Sequence, residues 1–345
     1  MLLFCVAVLR AALGEAQLLA ERLVNTAENA DDSVFKVLAY EALGFTLFAR
    51  GKFAAAHAAL ERSIGICEDS KAAAYLDLSG QDPRVHVRLY DGLALWFLGY
   101  PDQALRLCAE ARRYAHTSQH PFTAAMAQTI SLRVHQLRGE AAVIAGQADT
   151  AIALCEERGF VHYLAMARIL RGWASAQLGQ FEKGIAEIQE GLAKERATDA
   201  LLFESYSLGL LADACIKHER YGQALNFLNQ VQLSLDEENC ERFYAAEIYR
   251  LLGETYLRSQ QDLDQAEYYL FKGLKVAREQ KAKSLQLKLC VSIYDLYTLR
   301  QTAEKYRPEL AEIYSFFIEG FDTADLLGAS ARLNNGEGGR VHHRR

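Results

Sequence analysis

One spacing constrains this chain more than any other feature. A small residue inside an apolar run is followed twelve positions later by a second small residue, with a turn and an aromatic between them. Gly44 precedes Ala56 across Arg50-Gly51-Lys52-Phe53, and Gly92 precedes Ala104 across Gly99-Tyr100-Pro101. Gly172 precedes Gly184 across Leu178-Gly179-Gln180-Phe181, and Ala212 precedes Ala224 across Arg220-Tyr221. Gly253 and Ala266 stand one residue further apart, with the insertion in the turn Ser259 to Leu263. A glycine inside a helix costs about 1 kcal/mol relative to alanine, so its return at one phase requires a compensating cause. Close approach of two antiparallel helices supplies one, with the aromatic plugging the end of the hairpin.

These are the small, glycine, aromatic and alanine positions of a tetratricopeptide repeat. The expected fold is all-α, a tetratricopeptide-like α-solenoid of antiparallel helical hairpins with a C-terminal capping helix. From residue 92 the anchors fall at 172, 212 and 253, so the first interval is two units of about 40 residues. A divergent hairpin must fill it: Pro121 to Leu137, a turn at Arg138-Gly139, then Glu140 to Glu157. The period exceeds the usual spacing of about 34 and approaches HEAT values, which leaves HEAT-like hairpins as the alternative. A first hairpin runs over residues 2–28, and Ser284 to Gln301 with Ala303 to Phe317 forms the last. Thr323 is expected to N-cap a closing helix to Leu333, with Asp325 facing its dipole. One array of roughly eight hairpins over residues 1–333 is therefore expected, with a disordered tail at 334–345. Leu2, Leu3, Phe4, Val6, Val8 and Leu9 are apolar on all sides, so the first hairpin should be incomplete and covered by preceding chain or another subunit.

Composition narrows the function. The net charge of -6 and pI of 5.9 leave no basic footprint for nucleic acid. Only 4 prolines interrupt the chain, so long helices are permitted. The cysteines, at 5, 67, 108, 155, 215, 240 and 290, form no C-x-x-C pair and read as small apolar residues of a reducing, cytoplasmic protein. The apolar start ends at Arg10, too short to cross a bilayer. No membrane partner is expected.

Catalytic and metal chemistry lack a convincing constellation. His116 and His120 are four apart, but Pro121 separates them onto different helices. His218-Glu219 begins like H-E-x-x-H, yet Gly222 stands at the second histidine position. His342-His343 lies in the tail, and the acidic groups Glu156-Glu157 and Asp236-Glu237-Glu238 read as solvated hairpin ends. No enzyme, cofactor or metal site is expected.

Binding residues are sought on the first helix of each hairpin, which lines the concave side of such arrays. The register places Tyr206, Asp213 and Lys217 there in one repeat, and Glu247, Arg250, Glu254 and Arg258 in the next. Mixed charge suits a protein or peptide segment carrying both signs. The plainer reading makes the charged residues helix-stabilising pairs, each contributing about 0.2–0.5 kcal/mol. Trp96 and Trp173 are read as core.

Longer motifs follow in order: Gly80-Gln81-Asp82-Pro83, residues 94–105, His120-Pro121-Phe122, residues 135–140, residues 169–174, residues 246–254 and residues 319–326. Up to about Leu333 the chain resembles the C-terminal tetratricopeptide-like region of bacterial multidomain signalling ATPases of the adenylate or guanylate cyclase type. The resemblance implies a region that senses a partner or restrains an ATPase. No G-x-x-x-x-G-K-[ST] occurs, and Gly179 to Gly184 is followed by Ile185 and Ala186. The enzymatic activity therefore does not transfer. The expected function is a protein-interaction scaffold or regulatory module. The alternative is the detached regulatory region of a cyclase or transcriptional-regulator ATPase, with that cyclase or ATPase module as its partner.

Overall fold

The computed structural model describes residues 2–30, 32–197, 202–235 and 241–335, and all regular structure among them is helical. Hairpins follow one another: α1 (Leu2–Leu9) with α2 (Leu13–Ala30), then α3 (Ser33–Ala49) with α4 (Phe53–Ile66). A short α5 (Ala72–Ser79) intervenes before α6 (Pro83–Leu98) and α7 (Pro101–Ser118). Next come α8 (Pro121–Leu137) with α9 (Ala141–Arg158), and α10 (Val161–Gln177) with α11 (Phe181–Arg196). The series ends with α12 (Glu204–Lys217) and α13 (Tyr221–Leu235), α14 (Ala245–Ser259) and α15 (Leu263–Glu279), α16 (Lys283–Leu299) and α17 (Arg307–Ser315), and a final α18 (Ala324–Asn335). The divergent hairpin is present as α8 and α9. The long interval from Gly44 to Gly92 is explained by α5, an insertion that the repeat pattern does not announce.

Turn chemistry marks the period more cleanly than the helices do. Each hairpin from α3/α4 onward turns through a left-handed residue: Gly51, Gly99, Gly139, Gly179, Glu219, Gln260 and Gln301. Glycine adopts this conformation without a Cβ penalty, and the later hairpins accept the strain of a side chain there. Asp32, Asp82 and Asp262 cap α3, α6 and α15, and Asp82 is followed by Pro83 at the first helical position.

The recurring small residues sit where helices nearly touch. A Cβ on Gly172 would stand 2.7 Å from the Gly184 carbonyl oxygen and 3.0 Å from the Ile188 backbone nitrogen. At Gly44 and Gly253 the close neighbour is a leucine one turn beyond the anticipated alanine: the Cγ of Leu60 or of Leu270 would lie 2.5 Å away. The glycine thus makes room for a large side chain of the partner helix as often as for its backbone.

First and second helices differ sharply in burial. In α6, 14 of 16 residues are buried, against 5 of 18 in α7. An outer helix needs only one apolar face, whereas an inner helix covered on all sides must have something packed against its concave side. The chain itself provides that cover. Arg242 and Phe243 donate their backbone N–H groups to the Ala49 carbonyl at 2.9 and 3.1 Å. Ser284 donates to the Trp96 carbonyl at 2.5 Å. Glu319 accepts from the backbone N–H groups of Asp102 and Gln103 at the start of α7, both at 3.0 Å. Arg138 bridges Asp102 and Asp322 at 3.0 and 3.3 Å. The early hairpins therefore meet the late ones, and the array closes on itself. Its accessible surface of 15613 Å² is only slightly above the roughly 14,000 Å² expected for a compact protein of this mass.

Two expectations at the C-terminal end change. Thr323 occupies the N-cap position, since its carbonyl accepts from Leu327 at 3.0 Å, but its hydroxyl donates backwards to the Gly320 carbonyl at 2.7 Å. The closing helix continues through Asn335, because Arg332 is anchored to Asp295 at 2.6 and 2.5 Å and Arg307 donates to the Leu333 carbonyl. The rest of the expected tail lies outside the described residues. In the first hairpin Phe4 and Ala7 pack with Ala16, Ala20 and Ala42, while Val6 and Leu18 remain exposed. No helix among the described residues is long and apolar enough to cross a membrane.

Two glycines separate packing from propensity. Gly172→Ala should destabilise the fold by about 1–3 kcal/mol through overpacking. Gly146→Ala, in α9 with nothing within 4 Å of the added carbon, should stabilise it by up to about 1 kcal/mol. Urea denaturation of the two variants measures both signs.

Candidate functional site

The first helices from α10 to α16 carry a continuous row of charge. Asp213 of α12 accepts from the Trp173 indole at 2.9 Å and the Gln177 amide at 2.8 Å, both on α10. Lys217 donates to Gln177 at 2.5 Å. On α14, Glu247 pairs with Arg250 at 2.8 Å and with Lys288 of α16 at 2.6 Å. Arg250 also approaches Glu254 at 3.6 Å, and Glu254 accepts from Arg258 at 2.8 Å and from Ser292 at 2.5 Å. Six of the seven residues expected on the inner face thus stand in one row; only the heads of Lys217 and Arg258 are exposed.

The electrostatics explain why buried charge is tolerated. Burial opposes ionisation of Glu247, but Arg250 and Lys288 outweigh it and hold the carboxyl down to about 2. Burial likewise opposes charge on Arg250, and Glu247 with Glu254 overturns it, raising its pKa. Asp325 at the start of α18 faces the same group: burial raises its pKa, with Lys288 pulling the other way. Each partner supplies the counter-charge without which burial of the other would be prohibitive. Lys288, Ser292 and Gln177 are not anticipated from the sequence, while Trp173 is expected only as core and Asp325 only as facing a helix dipole. The repeat period points to most of them: Trp173 to Asp213 and Gln177 to Lys217 are each separated by 40 residues, and Glu247 to Lys288 by 41.

Tyr206 belongs to a second, deeper cluster. Its hydroxyl donates to Gln136 at 2.9 Å, and its ring lies 5.1 Å from the Arg133 guanidinium. Arg133 is 2% exposed, and its Nε and Nη1 groups lack hydrogen-bond partners among the described residues. Phe203 covers the guanidinium at 4.4 Å and meets Phe45, Tyr90 and Phe243 from three other parts of the array. Its φ of +74° is a strained conformation for an aromatic residue. The Phe203 N–H donates to the Glu241 carboxylate, which also accepts from Ser205. Burial raises Glu241 to about 7 and Glu195 to about 7, with Arg133 pulling both down.

The remaining sequence candidates are ordinary. His116 ends α7, while His120 bonds Thr123 at 2.9 Å. His218 sits at the α12/α13 turn, stacked on Phe181. Trp96 and Trp173 are buried. Burial raises the thiols of Cys67, Cys108, Cys155, Cys215 and Cys290. Among the described residues no group of three or more metal-binding side chains forms. Asp236-Glu237-Glu238, Cys240 and His342-His343 lie outside the described residues.

Several solved structures share the fold. A Rap protein complexed with competence and sporulation factor matches with a TM-score of 0.62 at 11% identity, over 97% of this chain and 96% of that one. The Rap conjugation gene regulator of plasmid pLS20, in complex with the Phr* peptide, matches with a TM-score of 0.58 at 12% identity, over 92% and 80%. The Cut9–Hcn1 hetero-tetramer of APC/C matches with a TM-score of 0.55 at 15% identity, over 95% of this chain and 53% of that one. No family model and no curated protein matches the chain. These likenesses establish the tetratricopeptide-like helical repeat fold, while the cyclase and ATPase association rests on the sequence motifs alone.

The deep cluster gives the stability a pH dependence. Glu195 and Glu241 bind their protons more tightly in the fold than the unfolded chain does, since both sit near 7 against an ordinary 4.5. Their contribution is full below the ordinary value and is lost as pH rises through about 7. Glu247 acts in a separate window, losing its contribution as pH falls from the ordinary value through about 2. The unfolding free energy should therefore decline between about pH 5 and pH 7.5, by on the order of a few kcal/mol for the pair, and the melting temperature should fall with it. Glu195→Gln with Glu241→Gln should flatten that slope in a calorimetric pH series.

Proposed function

We propose that the chain is a protein-interaction module that takes a peptide segment carrying both signs of charge along the row from Lys217 to Arg258. The carrying observation is the row itself: alternating carboxylates and cations whose inner members are fixed by pairing while the Lys217 and Arg258 heads reach solvent. In this reading Glu247, Arg250 and Glu254 set the field, Tyr206 supports the inner wall, and Asp213, Lys217 and Arg258 meet the ligand. Preformed, charge-assisted hydrogen bonding gives such a surface orientation and specificity at low ordering cost. The peptide held by one of the similar Rap structures supports the same use of the fold. A cyclase or ATPase module, the partner implied by the sequence resemblance, is one source of such a segment.

Selection from a random peptide library on the immobilised chain tests the proposal. Recovered peptides should carry Lys or Arg together with Asp or Glu. Lys217→Glu with Arg258→Glu, both at exposed heads, should weaken the best of them by about tenfold or more in calorimetric titration, which is about 1.4 kcal/mol. Unchanged affinity in that variant, or no enrichment, contradicts the assignment.

A further inference from the structure

A second surface arises only where the array closes. The α3/α4 turn, the backbone before α14 and the α15/α16 turn meet there, tied by the Arg242 and Phe243 N–H groups on the Ala49 carbonyl and by Gln280 donating to the Arg242 carbonyl at 2.7 Å. Two open cavities, of about 480 and 650 Å³, lie on either side of Lys281, which lines both. The smaller is lined by Arg50, Lys52, Arg242 and Lys281 against one carboxylate, Glu279. The larger adds Arg278 and Lys283, with Glu309 engaged by Arg278.

Among the described residues the cations lining the two cavities outnumber the carboxylates. Arg50 and Lys52 share one neutral acceptor, the Gln17 amide oxygen, at 2.8 and 3.1 Å. Burial lowers the Lys52 pKa and the Arg50 charge lowers it further, with Glu21 pulling the other way. Lys283 has only a long contact to Gln286, at 3.4 Å, and the face of Phe316 at 5.0 Å. The Arg242 and Lys281 side chains have no hydrogen-bond or ion-pair partner among the described residues. In a chain of net charge -6, cations that outnumber carboxylates at an open seam raise the local concentration of an anionic ligand.

We propose that this seam is a docking surface for an acidic peptide segment of a partner protein, separate from the inner row. A segment of several carboxylates lies across Lys281, meeting Arg50, Lys52 and Arg242 on one side and Lys283 on the other. The interspersed Glu279 and Glu312 disfavour a continuous phosphate backbone, and the seam offers little for base stacking. Because the seam is assembled from hairpins far apart in sequence, an acidic segment bound there also stabilises the closed array.

Fluorescence anisotropy with a fluorescein-labelled octaglutamate peptide on the full chain tests this. Binding should weaken steadily with added salt and fall about tenfold or more in Lys52→Glu with Lys281→Glu. It should be unchanged in Arg112→Glu with Arg113→Glu, exposed on outer α7. Circular dichroism melting confirms that each variant is folded. Equal losses in the seam and α7 variants, no loss in the seam variant, or tighter binding of a single-stranded oligonucleotide of equal charge would each overturn the proposal.

Discussion

The distance between the two helices of a hairpin sets everything else in this molecule. Where Gly172 faces Gly184 and Ile188, no side-chain carbon fits, and where Gly44 and Gly253 stand, a leucine of the partner helix fills the space. That approach fixes each hairpin's geometry, and a left-handed turn residue repeats it at intervals of 40 or 41 from Gly99 onward. Stacked at a constant offset, such units curve. Here the curve is tight enough for α16 to reach α6, so the helices that would line an open groove are buried against one another.

Closure gives the interior its unusual chemistry. The closed array encloses Arg133, Glu195 and Glu241 with Tyr90, Phe203 and Tyr206. Phe203 occupies the centre at the expense of a strained backbone, held by the Glu241 carboxylate and by stacking on Arg133. The mixed-charge row is organised differently, since Glu247, Arg250 and Glu254 each have a counter-charge within reach. One half of the inner face is therefore sealed by aromatic packing, and the other is ordered by ion pairs whose outermost heads remain in solvent.

Much of this was legible in the sequence. The α8/α9 hairpin was recovered without its small-residue pattern, because the period requires a unit there and Pro121 and Gly139 bound it. Asp213 and Lys217 were placed on one face by register, and adding or subtracting the period reaches Trp173, Gln177 and Lys288. Closure was not legible: Ser284 meets Trp96 across 188 residues, and no local pattern encodes such a contact. The role of Phe203 was hidden for the same reason, as its neighbours come from α3, α6, α8 and the residues before α14. Thr323 satisfied the composition rule for an N-cap, yet its hydroxyl found a nearer acceptor in the Gly320 carbonyl.

The proposed acidic-peptide seam depends on the closed form, because closure builds it. Small-angle X-ray scattering of the purified chain tests that form most directly. A closed array of 345 residues should give a radius of gyration of roughly 20 Å and a symmetric distance distribution. A clearly larger radius with the extended, tailing distribution of an open arc would contradict the account.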